Sequence, residues 1–290
     1  MNRRTKGKLA GTALIVVLLM GLGGCASMVT ERLTGNLSMA ILNQDDPETV
    51  RAGAPAYLLL IDGLIEGEPR SAKTLLAGAR LYTAYAAVFV EEPTRSRQMS
   101  SKARAYAQRA LCADYSDQCD LAERPYAEFL EGLKRFDDKD DLPYLYTYAT
   151  SWLLWIQKHS DDWSAVGDIP KVKSMLQHVV ALQDDYQDGQ PYLYLGVLET
   201  ILPPSLGGKP DLAREDFAHA IALSGGRDLS MQVALAKYYA RLVFDKELHD
   251  TVLKEVLDAD PYVPGLTLTN TLAQREAKEL LATSNDYFME

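Results

Sequence analysis

Apolar positions in this chain step by three and four, the spacing that gathers side chains on one face of an α-helix. Strand signals, β-branched alternation between Gly-Asn turns, are nearly absent. The pattern therefore predicts helix after helix. The first starts at Asp46-Pro47-Glu48, which offers an N-cap, a proline at the first helical position and an acid in the first turn. It runs to about Glu66 and stops at Gly67-Glu68-Pro69. Further helices are expected over 71–90, 94–112, 121–135, 142–159, 169–183, 191–202, 211–223, 229–244, 246–257 and roughly 269–284.

Helices in antiparallel pairs raise the question of a repeat, and the tetratricopeptide pattern fits best. That pattern sets small residues where two helices approach and large ones beside the contact, so that the gaps are filled. Ala213-x3-Phe217-x2-Ala220 matches its second helix, and Leu195-Gly196 with Tyr192 matches its first. The loop between them is longer than a standard repeat allows. A second candidate has Leu235, Ala236 and Tyr239, then Leu248 and Val252, ending at Asp260-Pro261; Leu248 and Glu255 stand where small residues are normal. A third is Ala103-x3-Ala107-x2-Ala110, preceded by Gly78 at too long a spacing. The expected fold class is all-α, with antiparallel helix pairs forming a degenerate TPR-like superhelix. An irregular helical bundle is the alternative.

The amino end is patterned differently. Arg3, Arg4, Lys6 and Lys8 precede an apolar run from Leu9 to Leu22, and Gly23-Gly24-Cys25 follows. A charged start, a short apolar segment and small residues form a signal peptide. Cysteine at the cleavage point resembles a bacterial lipoprotein signal, which makes Cys25 the lipidated first residue of the mature chain. Ala26 and Ser27 follow instead of aspartate, the pattern that sends Gram-negative lipoproteins to the outer membrane, facing the periplasm. The expected division is 1–24 signal peptide, 25–45 lipid anchor and linker, and 46–290 a single all-helical domain. After Leu22 no apolar run approaches the roughly 20 residues that a membrane-spanning helix needs.

The 30 basic and 40 acidic residues give a net charge of −10, and removing the four cations before Cys25 leaves −14. An acidic body excludes nucleic acid as a partner and disfavours adhesion to anionic lipid. Two cysteines remain, Cys112 and Cys119. In an oxidising periplasm they are expected to form a disulfide, with two free thiols as the alternative. No histidine lies nearby to complete a zinc site.

Signals for catalysis are missing. His159, His178, His219 and His249 form no metal-binding spacing, and neither a G-x-S-x-G elbow nor a Cys–His pair occurs. Gly207-Gly208-Lys209 resembles part of a phosphate loop but lacks its first glycine and its Ser/Thr, so it reads as a turn. Asp137-Asp138-Lys139-Asp140-Asp141 lacks the central glycine of a calcium loop and reads as a solvated turn and N-cap. No enzyme activity, metal or cofactor is expected. Aromatics are more informative. Tyr144, Tyr148, Trp152 and Trp155 share one helical face, and Tyr192, Tyr194, Tyr238 and Tyr239 fall on other first helices of the repeat alignment. Such residues fill a core or line a cavity between helices, since tyrosine offers area plus a hydroxyl.

Several blocks in order resemble the TRAP transporter T-component family, the TatT-like lipoproteins. They are Cys25 in its lipobox, Tyr57–Ile65, Leu75-Leu76 leading to Tyr82-Thr83-Ala84-Tyr85, and Lys102–Tyr106 leading to Arg109–Cys112. Tyr194-Leu195-Gly196, Pro203–Gly208 and Ala213-x3-Phe217-x2-Ala220 complete the set. The resemblance implies a non-enzymatic helical lipoprotein with cryptic tetratricopeptide repeats. It further implies a periplasmic solute-binding protein (the P-component) as partner, and a homotrimer with a pore through each protomer. A small hydrophobic or organic-acid ligand would pass that pore. Tyr144, Tyr148, Trp152, Trp155, Tyr192, Leu206, Gly207 and Gly208 are the candidate tunnel-lining or partner-contacting residues. A TPR-like scaffold lipoprotein of outer-membrane assembly is the second functional expectation.

Overall fold

The computed structural model describes residues 36–201, 204–206 and 208–288. Among them there is no strand. The long helices are α1 (Pro47–Gly67), α2 (Ala72–Phe89), α3 (Pro93–Asp114), α4 (Tyr126–Leu133), α5 (Leu142–Lys158), and, after the one-turn α6 (Trp163–Val166), α7 (Ile169–Leu182) and α8 (Gln190–Thr200). Next come α9 (Pro210–Leu223), α10 (Leu229–Ala234), α11 (Lys246–Asp258), α12 (Thr267–Ala282) and the short α13 (Ser284–Tyr287). Residues 1–35, with Cys25, lie outside the described residues. No described helix is long and apolar enough to cross a membrane.

Local chemistry sets the boundaries. Asp46 caps α1 by accepting from the Glu48 amide at 3.0 Å, and Pro47 occupies the first turn, where its missing N–H costs nothing. Glu92 caps α3 through the amides of Thr94 and Arg95, again with proline just inside. Two expected helices are interrupted. The expected span 121–135 splits into a 3₁₀ turn, Leu121–Glu123, and α4, because Pro125 cannot donate to the preceding turn. The expected span 229–244 opens after Ala234 into a π-helical stretch, Leu235–Ala240. The acidic run at 137–141 is a 3₁₀ turn in which Asp138 and Asp141 cap each other's backbone amides.

Helices pack largely in chain order: α1 on α2, α2 on α3, α3 on α5, α5 on α7, α7 on α8, α8 on α9 and α11 on α12. The main core holds Phe129, Phe136, Leu145, Tyr148, Trp152 and Met175, each no more than 1% exposed. Between α8 and α9 the approach is set by one small residue. A Cβ on Gly196 would stand 3.0 Å from the Phe217 ring, which lies between the buried Ala213 and Ala220. A polar bolt ties the amino-terminal helices together. Asp62 of α1 accepts from Tyr82 of α2 at 2.7 Å, and from Tyr106 and Lys102 of α3 at 2.8 and 2.6 Å. The chain then returns on itself. Asn43 Oδ1 accepts from the Gly265 amide at 2.6 Å, Tyr262 donates to Asp45 at 3.1 Å, and Arg275 of α12 meets Glu48 of α1 at 3.1 Å. The last long helix is thereby joined to the first.

Candidate functional site

The aromatic face expected of α5 goes mostly into the core. Tyr148 and Trp152 are 1% and 0% exposed and stack on each other at 5.2 Å, with Phe129 against Trp152, so they do not line an open passage. The reason is their position: that face of α5 meets both α3 and α7. Trp155 is half-buried, stacked on His159, with the Arg104 guanidinium 4.3 Å from its ring centre. Tyr144 donates to Asp114 at the edge of the Tyr115 ring. Tyr192 donates to Asp184 at 2.5 Å and packs edge-on to His219. Its hydroxyl is thus already engaged. Leu206 belongs to a 3₁₀ turn, Pro204–Leu206, and Gly208 is half-buried beside it, while Gly207 lies outside the described residues. The structure thus brings Tyr148 and Trp152 together in the core and gives Tyr144, Trp155 and Tyr192 separate partners. A disulfide joins Cys112 to Cys119 with their Cα atoms 4.5 Å apart.

A different face of α5 carries a second aromatic cluster. Tyr146, Thr150 and Leu153 recur at i, i+4 and i+7, and all three are half-buried. Tyr146 meets Tyr186 at 5.3 Å and Tyr194 of α8 at 6.3 Å between ring centres. Burial raises the pKa of Tyr146 well above the ordinary tyrosine value and raises that of Tyr194 as well. Both residues are half-buried as a whole. On α2, Ala77, Arg80 and Ala84 are exposed. Arg80 Nε donates to the buried Thr147 of α5 at 3.0 Å, which anchors the arginine to the tyrosine-bearing helix.

The backbone beside this aromatic cluster is strained. Gln187 and Asp188 hold φ values of 51° and 53°, followed by Gly189 at 88°. Non-glycine residues adopt that region only when their surroundings enforce it, and such strain concentrates at ligand-holding positions. It places Tyr186 against Tyr146. The π-helical stretch at Leu235–Ala240, another local distortion, lies on a helix that contacts α8.

A family model described as TRAP transporter T-component matches residues 43–288. The chain belongs to the TRAP transporter T-component family. The match spans α1 through α13 and so takes in both the tyrosine cluster and the contacts that join α12 to α1. T-component membership supports a role in a TRAP transporter. The chain is also similar to an uncharacterized protein of Treponema pallidum (strain Nichols). The two are 22% identical over 264 residues, covering 85% of this chain and 82% of the other. Among the described residues no three metal-ligating side chains come together.

Sequence reasoning placed Tyr146 and Tyr194 among abundant aromatics without setting them apart, and it did not find Arg80 or Tyr186. A signal for Tyr146 existed. It lies on α5 at the spacing of Thr150 and Leu153, off the stripe of Tyr144, Tyr148 and Trp152, but apolar stripes alone do not say which face meets a neighbour.

Proposed function

We propose that this chain is the lipid-anchored, non-enzymatic T-component that couples a periplasmic solute-binding protein to its TRAP transporter. It helps to pass a small hydrophobic or organic-acid ligand. In this reading residues 1–24 are removed and Cys25 carries the lipid that holds the chain at the outer membrane, facing the periplasm. The helix pairs form a degenerate TPR-like superhelix, and the chain works as a homotrimer. The observation that carries the reading is the family match over residues 43–288. The cluster of Tyr146, Tyr186 and Tyr194 supports ligand handling, since tyrosine offers apolar area together with a hydroxyl. Apolar surface supports a protein partner: Leu59, Leu60 and Leu64 of α1 are 73%, 58% and 53% exposed, with Gly63 and Gly67 beside them facing open space.

The test is association of the purified pair, this chain and a TRAP solute-binding protein from the same cell, by analytical ultracentrifugation. Co-sedimentation at micromolar concentration supports the reading. Independent sedimentation at 100-fold higher concentration overturns it.

A further inference from the structure

Among the described residues no large apolar side chain is more exposed than Trp163, at 87%. The tip that carries it is tied down. Asp162 caps the one-turn α6 by accepting from the Ser164 amide at 2.8 Å, the Gly167 amide donates back to the Trp163 carbonyl at 3.0 Å, and Arg97 of α3 pairs with Asp161 at 2.9 Å. A tip so held loses little freedom on contact. Its place in the fold says what it meets. The Arg97–Asp161 pair joins the start of α3 to the end of α5, while Tyr144 at the start of α5 donates to Asp114 at the end of α3, so the two helices are antiparallel. Arg51, near the start of α1, pairs at 3.6 Å with Glu91 in the turn before α3. The start of α1, the turn before α3 and the Trp163 tip therefore share one end of the helices. Tyr262 is there too, 63% exposed and bonded to Asp45 just ahead of α1. This is the end from which the chain leads back toward Cys25. Ten residues, 26–35, separate Cys25 from Asn36, the first described residue, and fully extended that stretch spans at most about 40 Å.

Charge narrows the surface further. Segments 43–48, 91–97, 160–164 and 260–265, which form this end, hold eight acids and two arginines. They repel an anionic surface, which leaves the aromatic side chains to make the contact. Tryptophan and tyrosine favour the boundary between lipid headgroups and acyl chains, where the ring sits in apolar surroundings and its N–H or O–H stays wet. A single indole holds a bilayer weakly, but an anchor on the same chain makes the contact intramolecular, and weak affinity then suffices. We propose that the end bearing Trp163 and Tyr262 rests on the membrane, with Trp163 inserted at the headgroup boundary of a zwitterionic phospholipid bilayer. Leu59, Leu60 and Leu64 then lie about 18–26 Å along α1 from that end, clear of the membrane and open to a protein partner. This assignment rests on the reading of Cys25 as the lipid-bearing residue.

The experiment reconstitutes the full lipidated chain into phosphatidylcholine vesicles, with and without phosphatidylcholine brominated near the headgroup end of its acyl chains. Flotation reads the anchor, and quenching of tryptophan emission reads the contact. The parent is expected to float and to be quenched by the brominated lipid. Trp163→Ser is expected to float equally and to lose that quenching, since Trp152 is fully buried. Lys139→Trp in the Trp163→Ser background puts a reporter at the other end of the 17-residue α5, about 25 Å away along the helix, and is expected to stay unquenched. A parent that floats without quenching, quenching that survives Trp163→Ser, equal quenching of the Lys139→Trp reporter, or quenching confined to vesicles containing anionic phosphatidylglycerol each overturns the assignment while the anchor stands. Trp163 emission that shifts only when the solute-binding protein is added overturns it as well and gives this end to the protein partner. A parent that does not float overturns the anchor reading, and this assignment with it.

Discussion

Gly196 gives the sharpest test of the packing. It lies inside the eleven-residue α8, where replacing glycine by alanine ordinarily stabilises a helix by about 0.5–1 kcal/mol. Here the added methyl would stand 3.0 Å from Cε1 and Cζ of Phe217 and 3.1 Å from Cδ1. Phe217, Ala213 and Ala220 are all 0% exposed, so the ring has nowhere to withdraw without moving α9. Overpacking of this kind costs about 1–3 kcal/mol. The clash outweighs the propensity gain, and Gly196→Ala should lose about 1 kcal/mol net, Gly196→Val more. In a chain of this size 1 kcal/mol lowers the Tm by about 2–4 °C, readable by circular dichroism at 222 nm. Phe217→Leu provides the cross-check. It should cost stability in the parent and less in the Gly196→Ala background, a coupling of about 0.5–3 kcal/mol between touching residues. A Gly196→Ala chain with a Tm equal to or above the parent's would refute the argument, since propensity alone would then govern the site.

Three further outcomes are expected. Asp62→Ala strands the hydroxyls of Tyr82 and Tyr106 and should cost about 2–3 kcal/mol in urea unfolding. Burial pushes the Asp62 carboxyl up, but the bonds from Lys102, Tyr82 and Tyr106 outweigh it and hold the pKa below the ordinary 3.8; the bolt should therefore be intact at neutral pH and fail only as pH falls below that range. Asp216 behaves oppositely. Burial and then the Glu199 charge push it up to about 6, so its stability contribution is complete below pH 3.8 and is lost as pH rises through 6; Asp216→Asn should raise the Tm at pH 8 and leave it unchanged at pH 3.5. Replacing both Cys112 and Cys119 by serine reopens a short loop, and chemical denaturation should show a loss of about 2–3 kcal/mol, with reduction of the parent chain giving the same loss.

The helices were legible because their stops are local: Asp46-Pro47, Glu92-Pro93 and Gly225-Gly226 act within a turn of themselves. Pro125 and the π-helical stretch escaped for a related reason. The expected span 121–135 ran across Pro125, and the π-helical stretch packs against α8 and α11, which no local spacing encodes. The close approach at Gly196 and Phe217 was readable since the repeat pattern names both partners. The tyrosine cluster was not. Tyr148 and Trp152 carry the same stripe that a lining would carry, and only the presence of α3 and α7 on that face turns them inward. Arg80 lies on an alanine-rich face of α2 that reads as solvent-facing, and its bond to Thr147 joins positions 67 residues apart.

The central claim, that this chain serves a TRAP transporter through a periplasmic partner, is tested most directly by capture from native envelopes. The full chain, tagged at its carboxyl end, is recovered from detergent-solubilised membranes and its companions are identified by mass spectrometry. The account predicts a periplasmic solute-binding protein together with TRAP membrane subunits, depleted when the tag is on an unrelated lipoprotein. Recovery of barrel-assembly components in their place would contradict it and assign the chain to an envelope scaffold.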